Sequence, residues 1–138
     1  MNVQPVKTAI VGCGVISDAY LQTMINKFKI LDIVGCCDLV PEKAQAAAEK
    51  YDIDVLTMED ILADDSIEIV VNLTTPVAHY PVIKQLLKAG KHVYTEKVLS
   101  VELEHAAELV RIANQKNLYL GAAPDTFLGS AIQTARYV

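Results

Sequence analysis

The sequence lacks three features, each of which would have assigned it to a class of proteins. It has no excess of basic residues, since 12 Lys and Arg stand against 17 Asp and Glu, a formal net charge of -5. Nucleic-acid binders carry clustered Lys and Arg, so no nucleic-acid partner is expected. No apolar run approaches the ~18 residues of a spanning helix. No apolar segment of the signal-peptide type follows Met1. These absences predict a cytoplasmic protein with no membrane partner.

Cysteine is also scarce. The three cysteines are odd in number, two of them are adjacent, and none has metal-ligand spacing with a histidine: Cys13, Cys36 and Cys37. All three lie in apolar stretches. We therefore expect buried free thiols, as in a reducing compartment, and no metal site.

Apolar residues are plentiful, at 52% of the 138 residues, and charged residues make up 21%. This composition is typical of one folded domain. Short β-branched runs alternate with longer segments of helical period, which indicates βαβ units and a parallel sheet. The predicted strands are 8–11, 31–37, 55–56, 67–73, 92–95 and 118–122. Four of the predicted helices are 17–28, 41–51, 59–63 and 130–138. Another follows Pro76 and is closed by Gly90. The longest begins at Ser100 and is predicted to bury Leu103, Ala106, Leu109, Val110 and Ala113.

Six strands in this alternation predict an α/β fold, a doubly wound parallel sheet of Rossmann type with strand order 3-2-1-4-5-6. Ligands of such sheets bind at the carboxyl ends of the strands, where the strand order reverses. The candidate site residues are therefore those that directly follow a predicted strand.

A glycine loop follows the first predicted strand and opens its helix. Gly12 permits the tight turn, and Gly14 lets backbone amides approach a pyrophosphate beside Val15 and Ile16. Ser17 stands where a third glycine is usual, and a small residue still permits close packing of helix on strand. The loop predicts a dinucleotide site, with an ordinary strand-to-helix turn as the alternative.

Asp38 ends the second predicted strand, about 20 residues after the glycine loop, where an acidic residue accepts hydrogen bonds from the adenosine ribose. Its charge would repel a 2′-phosphate, and Leu39 adds no positive charge. We therefore predict NAD as the cofactor. NADP stays possible because Lys43 could reach the site, and Asp38 could instead serve only the start of the next helix.

Polar residues also follow the fourth and fifth predicted strands. Thr74, Thr75 and Pro76 could line a cofactor at the switch point, and His79 could face the same crevice or pack locally. Glu96 and Lys97 reach the same edge. A lysine beside a nicotinamide can exchange a proton while hydride moves, although a surface ion pair explains the two residues as well.

Taken together, these segments resemble the N-terminal half of the glucose–fructose oxidoreductase and inositol dehydrogenase family, Gfo/Idh/MocA. The resemblance rests on the glycine loop and on five further segments: 37–38, 41–44, 75–79, 90–97 and 121–136. Members are mostly NAD(P)-dependent dehydrogenases or reductases of sugars, cyclitols and related polyols. The resemblance therefore implies an oxidoreductase that transfers hydride to or from such a substrate. A non-catalytic dinucleotide-binding regulator is the alternative.

The resemblance also implies roles for individual residues. Gly12, Gly14, Asp38, Thr75, Pro76 and Glu96 would contact or position the cofactor, and Lys97 would be the catalytic lysine of a Glu-Lys-Pro motif. Val98 departs from that motif. A cis peptide bond before a residue other than proline costs about 2.5–4 kcal/mol, so the Lys97–Val98 bond is expected to be trans.

The resemblance finally implies a domain organisation. Residues 1–124 would form the dinucleotide-binding domain, and residues 125–138 would begin a linker helix to an absent C-terminal substrate domain. That domain would bind most of the polyol or sugar substrate, the isolated fragment would be inactive, and the full-length parent would be a homo-oligomer.

Overall fold

A computed structural model describes residues 4–123 and 130–136, and for residues 130–132 only the backbone. The strands are β1 (Val6–Val11), β2 (Leu31–Cys37), β3 (Asp54–Val55), β4 (Ile69–Asn72), β5 (His92–Thr95) and β6 (Leu120–Ala122). The helices are α1 (Val15–Lys27), α2 (Pro41–Tyr51), α3 (Met58–Ala63), α4 (Pro76–Lys88), α5 (Leu103–Lys116) and α6 (Ser130–Ala135).

The six strands form one sheet in the order β3-β2-β1-β4-β5-β6, and every neighbouring pair is parallel. This confirms the predicted doubly wound α/β fold. The strands alternate with helices along the chain, which is the arrangement that a parallel sheet requires. The chain reverses its direction of winding between β1 and β4, so the switch point lies where these two strands end.

The core has two layers, one on each face of the sheet. Neighbouring strand residues point to opposite faces, so Ala9 and Val70 belong to one layer, while Ile10 and Val71 belong to the other. The first layer is completed by Ile83, Leu86 and Leu87 of α4 and by Leu109, Ile112 and Ala113 of α5. The second is completed by Leu21 and Met24 of α1 and by Ala44 and Ala48 of α2.

The start of α5 corrects the sequence analysis. The helix begins at Leu103 rather than at Ser100, and the Ser100 hydroxyl instead accepts a bond from the Glu102 backbone N–H at 3.4 Å. Leu103 is 79% exposed and Val110 46% exposed, so neither is the buried residue that was predicted. At about 100° per residue, these two side chains point well away from Leu109, which faces the sheet.

The end of the chain is described only in part. Residues 124–129 and 137–138, on which part of the predicted linker helix falls, lie outside the described residues. Within the described part, no helix combines the length and the apolar character that a membrane crossing requires.

Candidate functional site

The strand register brings the predicted site residues to one edge of the sheet. Val11 pairs with both Cys37 and Asn72, and Asn72 pairs with Thr95. The residues that follow these positions therefore emerge side by side at the switch point. They are Gly12 after β1, Asp38 after β2, Thr74 after β4, and Glu96 with Lys97 after β5.

Gly12 makes the turn between β1 and α1 possible. Its φ is +99°, and a Cβ atom there would lie 2.7 Å from the backbone carbon of Leu73. Its N–H donates to the Cys37 carbonyl at 2.8 Å. Only glycine permits both this backbone conformation and this close approach to the end of β4.

Gly14 has a different role, because a Cβ atom there would meet nothing within 4 Å. It is the N-cap of α1, and its carbonyl accepts from the Ser17 hydroxyl at 2.6 Å. Val15 is 99% exposed, and Ile16 is also exposed. The space around the start of α1 is therefore open, as a helix N-terminus requires in order to bind an anionic group.

Asp38 joins the glycine loop to the segment before α2. One carboxylate oxygen accepts from the Cys13 N–H at 2.7 Å, and the other accepts from the Val40 N–H at 2.8 Å. Asp38 was predicted either to bind the adenosine ribose or to serve only the start of the next helix. Both interpretations have a structural basis, since the carboxylate lies beside the glycine loop and also binds the segment before α2. Leu39 is completely exposed.

A groove of about 700 Å³ runs along this part of the edge. Its lining includes Gly14, Asp38, Leu39, Lys43 and Thr74. Both glycines and the aspartate therefore lie in or beside one continuous depression.

Three cysteines, Cys13, Cys36 and Cys37, lie in β2 and in the loop beside this groove. All three cysteines are buried and free, as predicted. Burial, with the neighbouring Cys36 and Asp38 charges, raises the pKa of Cys37 to about 11, so this thiol stays protonated at neutral pH. No cluster of three His, Cys, Asp or Glu side chains that could hold a metal occurs among residues 4–123 and 130–136.

Asn72 organises the segment after β4. This fully buried side chain donates to the Thr95 hydroxyl at 3.0 Å and accepts from the Thr74 hydroxyl at 2.7 Å. Thr75 occupies the N-cap position of α4 without a side-chain capping bond, Pro76 is the first residue of the helix, and both are exposed at the edge. Asn72 was not among the residues predicted from the sequence, although a polar residue that ends an otherwise apolar strand was a usable signal.

His79 is fully buried and does not open onto the edge. Its Nε2 lies 2.9 Å from the Thr74 carbonyl, and its Nδ1 lies 2.5 Å from the Val98 carbonyl. The imidazole therefore bridges the backbone after β4 and the backbone after β5. Of the two roles considered for His79, the structure favours local packing over a direct place in the crevice.

Glu96 is held from three directions. Its N–H donates to the Asn72 carbonyl at 3.0 Å, one carboxylate oxygen accepts from the Tyr20 hydroxyl at 2.6 Å, and the other accepts from the Lys97 N–H at 3.1 Å. The Lys97 side chain is exposed. No salt bridge between Glu96 and Lys97 is found among the described residues, so the alternative of an ion pair is not supported.

The Lys97–Val98 peptide bond is cis, and the expectation of a trans bond is wrong. That expectation rested on the cost of a cis bond before a residue other than proline. In the fold, the flanking segment is held by Glu96 on one side and by the contact between His79 and the Val98 carbonyl on the other.

Comparison with known proteins shows to which family this chain belongs. Residues 6–123 match the family model GFO_IDH_MocA, described as the oxidoreductase family with an NAD-binding Rossmann fold. The chain belongs to this family. The resemblance stated from the sequence is thereby confirmed.

Among curated relatives, an inositol 2-dehydrogenase/D-chiro-inositol 3-dehydrogenase of Lactiplantibacillus plantarum is 32% identical over 107 residues, which cover 75% of this chain and 31% of the relative. An inositol 2-dehydrogenase of Salmonella typhimurium is 34% identical over 114 residues, covering 80% of this chain and 34% of the relative. The chain thus spans about a third of the length of these family members.

A solved structure, GenD2 from gentamicin A biosynthesis in complex with NAD, matches with a TM-score of 0.91. The match covers 99% of this chain and 39% of GenD2, at 23% sequence identity. This likeness independently supports the fold.

Proposed function

We propose that this chain is the cofactor domain of an oxidoreductase that moves hydride between nicotinamide and a carbon-bound hydroxyl of a sugar, cyclitol or related polyol. One observation carries the proposal: the glycine loop, Asp38 and the Lys97 segment meet at one sheet edge in a chain of an NAD-binding family. The inositol dehydrogenases among its relatives support a cyclitol or sugar as the substrate class.

The residues present suit a dinucleotide. The side of Gly14 is open, α1 begins beside that space, and a groove of about 700 Å³ includes Gly14 and Asp38 in its lining. Gly12, Gly14, Val15 and Ile16 would hold the pyrophosphate end. Asp38 and Leu39 would hold the adenosine end, while Thr74, Thr75, Pro76 and Glu96 would line the other half. Bound nicotinamide would supply the carbon that accepts or releases hydride.

Lys97 would act as the proton-transfer residue. Its side chain is exposed at the edge, while its own N–H is held by Glu96. The lysine would give a proton to the substrate oxygen when a carbonyl is reduced, and take one when a hydroxyl is oxidised. His79 would contribute indirectly, by bridging the two segments that flank the site.

NAD is the proposed cofactor because a 2′-phosphate would lie against the Asp38 carboxylate. Lys43 lines the same groove and is the residue through which NADP could still be accepted. The proposal has four further parts. The cofactor domain would end near residue 124, and a C-terminal domain would bind most of the substrate. The full-length parent would be a homo-oligomer, and the fragment alone would be inactive. The buried free thiols support a reducing, cytoplasmic location.

The cofactor half of the proposal is tested by calorimetric titration of the purified chain with NAD and NADP. Asp38→Ala should weaken NAD by about 1–3 kcal/mol, the scale of hydrogen-bonding groups left unpaired, and NADP by much less. Lys97→Met is the matched control, because it lies at the other end of the site and should leave NAD affinity nearly unchanged. Equal losses for both cofactors in Asp38→Ala would contradict the ribose contact.

The catalytic half is tested in the full-length parent with a panel of inositols and sugars. Lys97→Met should abolish turnover while NAD still binds. A wild-type parent that binds NAD but oxidises no member of the panel would favour the non-catalytic regulator instead.

A further inference from the structure

The hydroxyl of Tyr20 reaches the proposed catalytic segment from a distant part of the chain. Tyr20 lies on α1, 76 residues before Glu96, and its hydroxyl lies 2.6 Å from one carboxylate oxygen of that residue. Burial and the nearby Glu96 carboxylate raise the pKa of Tyr20, so the phenol keeps its proton. Tyr20 is therefore the donor in this bond, and the Glu96 carboxylate oxygen accepts.

The carboxylate of Glu96 connects this bond to Lys97. Its second oxygen accepts from the Lys97 N–H at 3.1 Å, while the Glu96 N–H is fixed by the Asn72 carbonyl. Because the carboxylate is planar, a bond that holds one oxygen also orients the other. A hydrogen bond between a neutral donor and a carboxylate is stronger than one between neutral groups, so the Tyr20 bond can set this orientation.

The surroundings leave the carboxylate room to turn if Tyr20 releases it. Tyr20 and Glu96 both line a second groove of about 630 Å³, bounded mainly by apolar residues of α1 and of the sheet, including Ile16, Val71 and Tyr94. Nothing in the described hydrogen bonds other than Tyr20 and Lys97 holds the Glu96 carboxylate. The orientation therefore depends on the phenol.

We propose that Tyr20 is a positioning residue for Lys97, which acts by fixing the Glu96 carboxylate beneath the Lys97 N–H. The inference rests on the proposed role of Lys97 and adds a residue to which the sequence analysis assigned no role. Removing the hydroxyl lets the carboxylate rotate into the groove, and the Lys97 backbone then loses its acceptor. The cofactor contacts of Gly14 and Asp38 do not involve Tyr20 and stay intact.

The test compares Tyr20→Phe with Tyr51→Phe in the 138-residue chain. Tyr51 is a matched control, because its hydroxyl also donates to a carboxylate at 2.6 Å, that of Asp18, in a tie between α1 and α2. Amide hydrogen exchange and the ¹⁵N chemical shift of Lys97 are measured by NMR, together with NAD affinity. In Tyr20→Phe we expect Lys97 exchange to rise about fivefold, the effect of one lost hydrogen bond, with a changed shift. Tyr51→Phe should change neither.

Glu96→Gln supplies a second variant in case the first is poorly folded. Its single amide oxygen cannot accept from Tyr20 and Lys97 as two carboxylate oxygens do, so Lys97 exchange should rise here as well. Adding Tyr20→Phe to this variant should then have little further effect, because the two changes act through one contact. An unchanged Lys97 signal in Tyr20→Phe, or full additivity of the two changes, would overturn the inference.

Failure of the proposed function is seen separately. A wild-type chain that binds no NAD would contradict the cofactor role while leaving the Lys97 exchange result readable. In the full-length parent, Tyr20→Phe should lower kcat by a larger factor than it raises the KM for NAD, whereas a purely structural role would lower the amount of folded enzyme without this split.

Discussion

The glycine-loop half of the site and the lysine half share one sheet edge, but different contacts hold them. In the first half, Gly12 and Asp38 are bound by backbone groups of β2, of the glycine loop and of the segment before α2, all close to one another in the sequence. In the second half, Glu96 and Val98 are held by side chains from α1 and α4, namely Tyr20 and His79. The first half is therefore a local structure, whereas the second is assembled from distant segments.

This difference predicts how each half responds to mutation. A change in the glycine loop acts directly on the β1–α1 turn and on cofactor binding. A change at Tyr20 or His79 in the lysine half removes a side chain that does not itself line the groove beside the glycine loop. The two halves should therefore be separable, so that NAD affinity follows the first half and the order of the Lys97 segment follows the second.

The largest effect is expected for Gly12→Ala. The new Cβ atom would lie 2.7–2.8 Å from backbone atoms of Leu73 and Thr74, and the residue would keep a φ of +99°. Backbone atoms cannot move aside as the end of a flexible side chain can. We therefore expect a loss of several kcal/mol in the free energy of unfolding, measured by urea denaturation. Gly14→Ala is the matched control, since its Cβ atom meets nothing. The Gly14→Ala variant should keep the stability of the wild type and lose only NAD affinity. Equal destabilisation of the two variants would contradict the different roles of the two glycines.

A smaller effect is expected for His79→Leu. The substitution keeps an apolar side chain in the core but leaves the Thr74 and Val98 carbonyls without the imidazole. We expect a loss of about 1–3 kcal/mol in the free energy of unfolding, the cost of a buried polar group left unpaired. The Lys97 amide signal should also change, while NAD affinity per folded molecule should not.

The control for this variant is His92→Leu. That imidazole also contacts the backbone, accepting from the Tyr119 N–H at 3.0 Å, but it lies at the opposite end of β5 from Lys97. It should leave the Lys97 signal unchanged. A large fall in NAD affinity in His79→Leu alone would show that the two halves are coupled.

The smallest effect is expected at Asp18, whose carboxylate connects α1 to α2 through an ion pair with Lys50 and a hydrogen bond from Tyr51. These two helices flank the glycine-loop half. Hydrogen bonds from Lys50 and then from Tyr51 lower the pKa of Asp18. A carboxyl group whose pKa is depressed by folding stabilises the fold above its unfolded pKa, and this contribution is lost as the pH falls through the folded pKa. Asp18→Asn should therefore be slightly less stable than wild type at pH 7 and equal to it in acid. A stability difference that persists in acid would mean that packing, rather than charge, is responsible.

The sequence predicted the elements well where the local signal was sharp. The bounds of β2, α2 and β5 match the predicted 31–37, 41–51 and 92–95, because apolar runs there end abruptly and Pro41 opens a helix. The start of α5 was misplaced because Ser100 is a favourable cap by type, yet the chain turns into the helix only at Leu103. The type of a residue indicates that a helix can begin there, but it does not fix the residue at which the chain turns into the helix.

By itself, the sequence determined the alternation of strands and helices, the strand order and the positions of the glycine loop and Asp38 at the switch edge. These follow from periodicity and from spacing within one βαβ unit. Only the tertiary structure decided that His79 turns inward, that Asn72 organises the segment after β4 and that Tyr20 holds Glu96. Hydrogen bonds between residues as far as 76 positions apart leave no periodic signal, since their partners meet only after the sheet has formed.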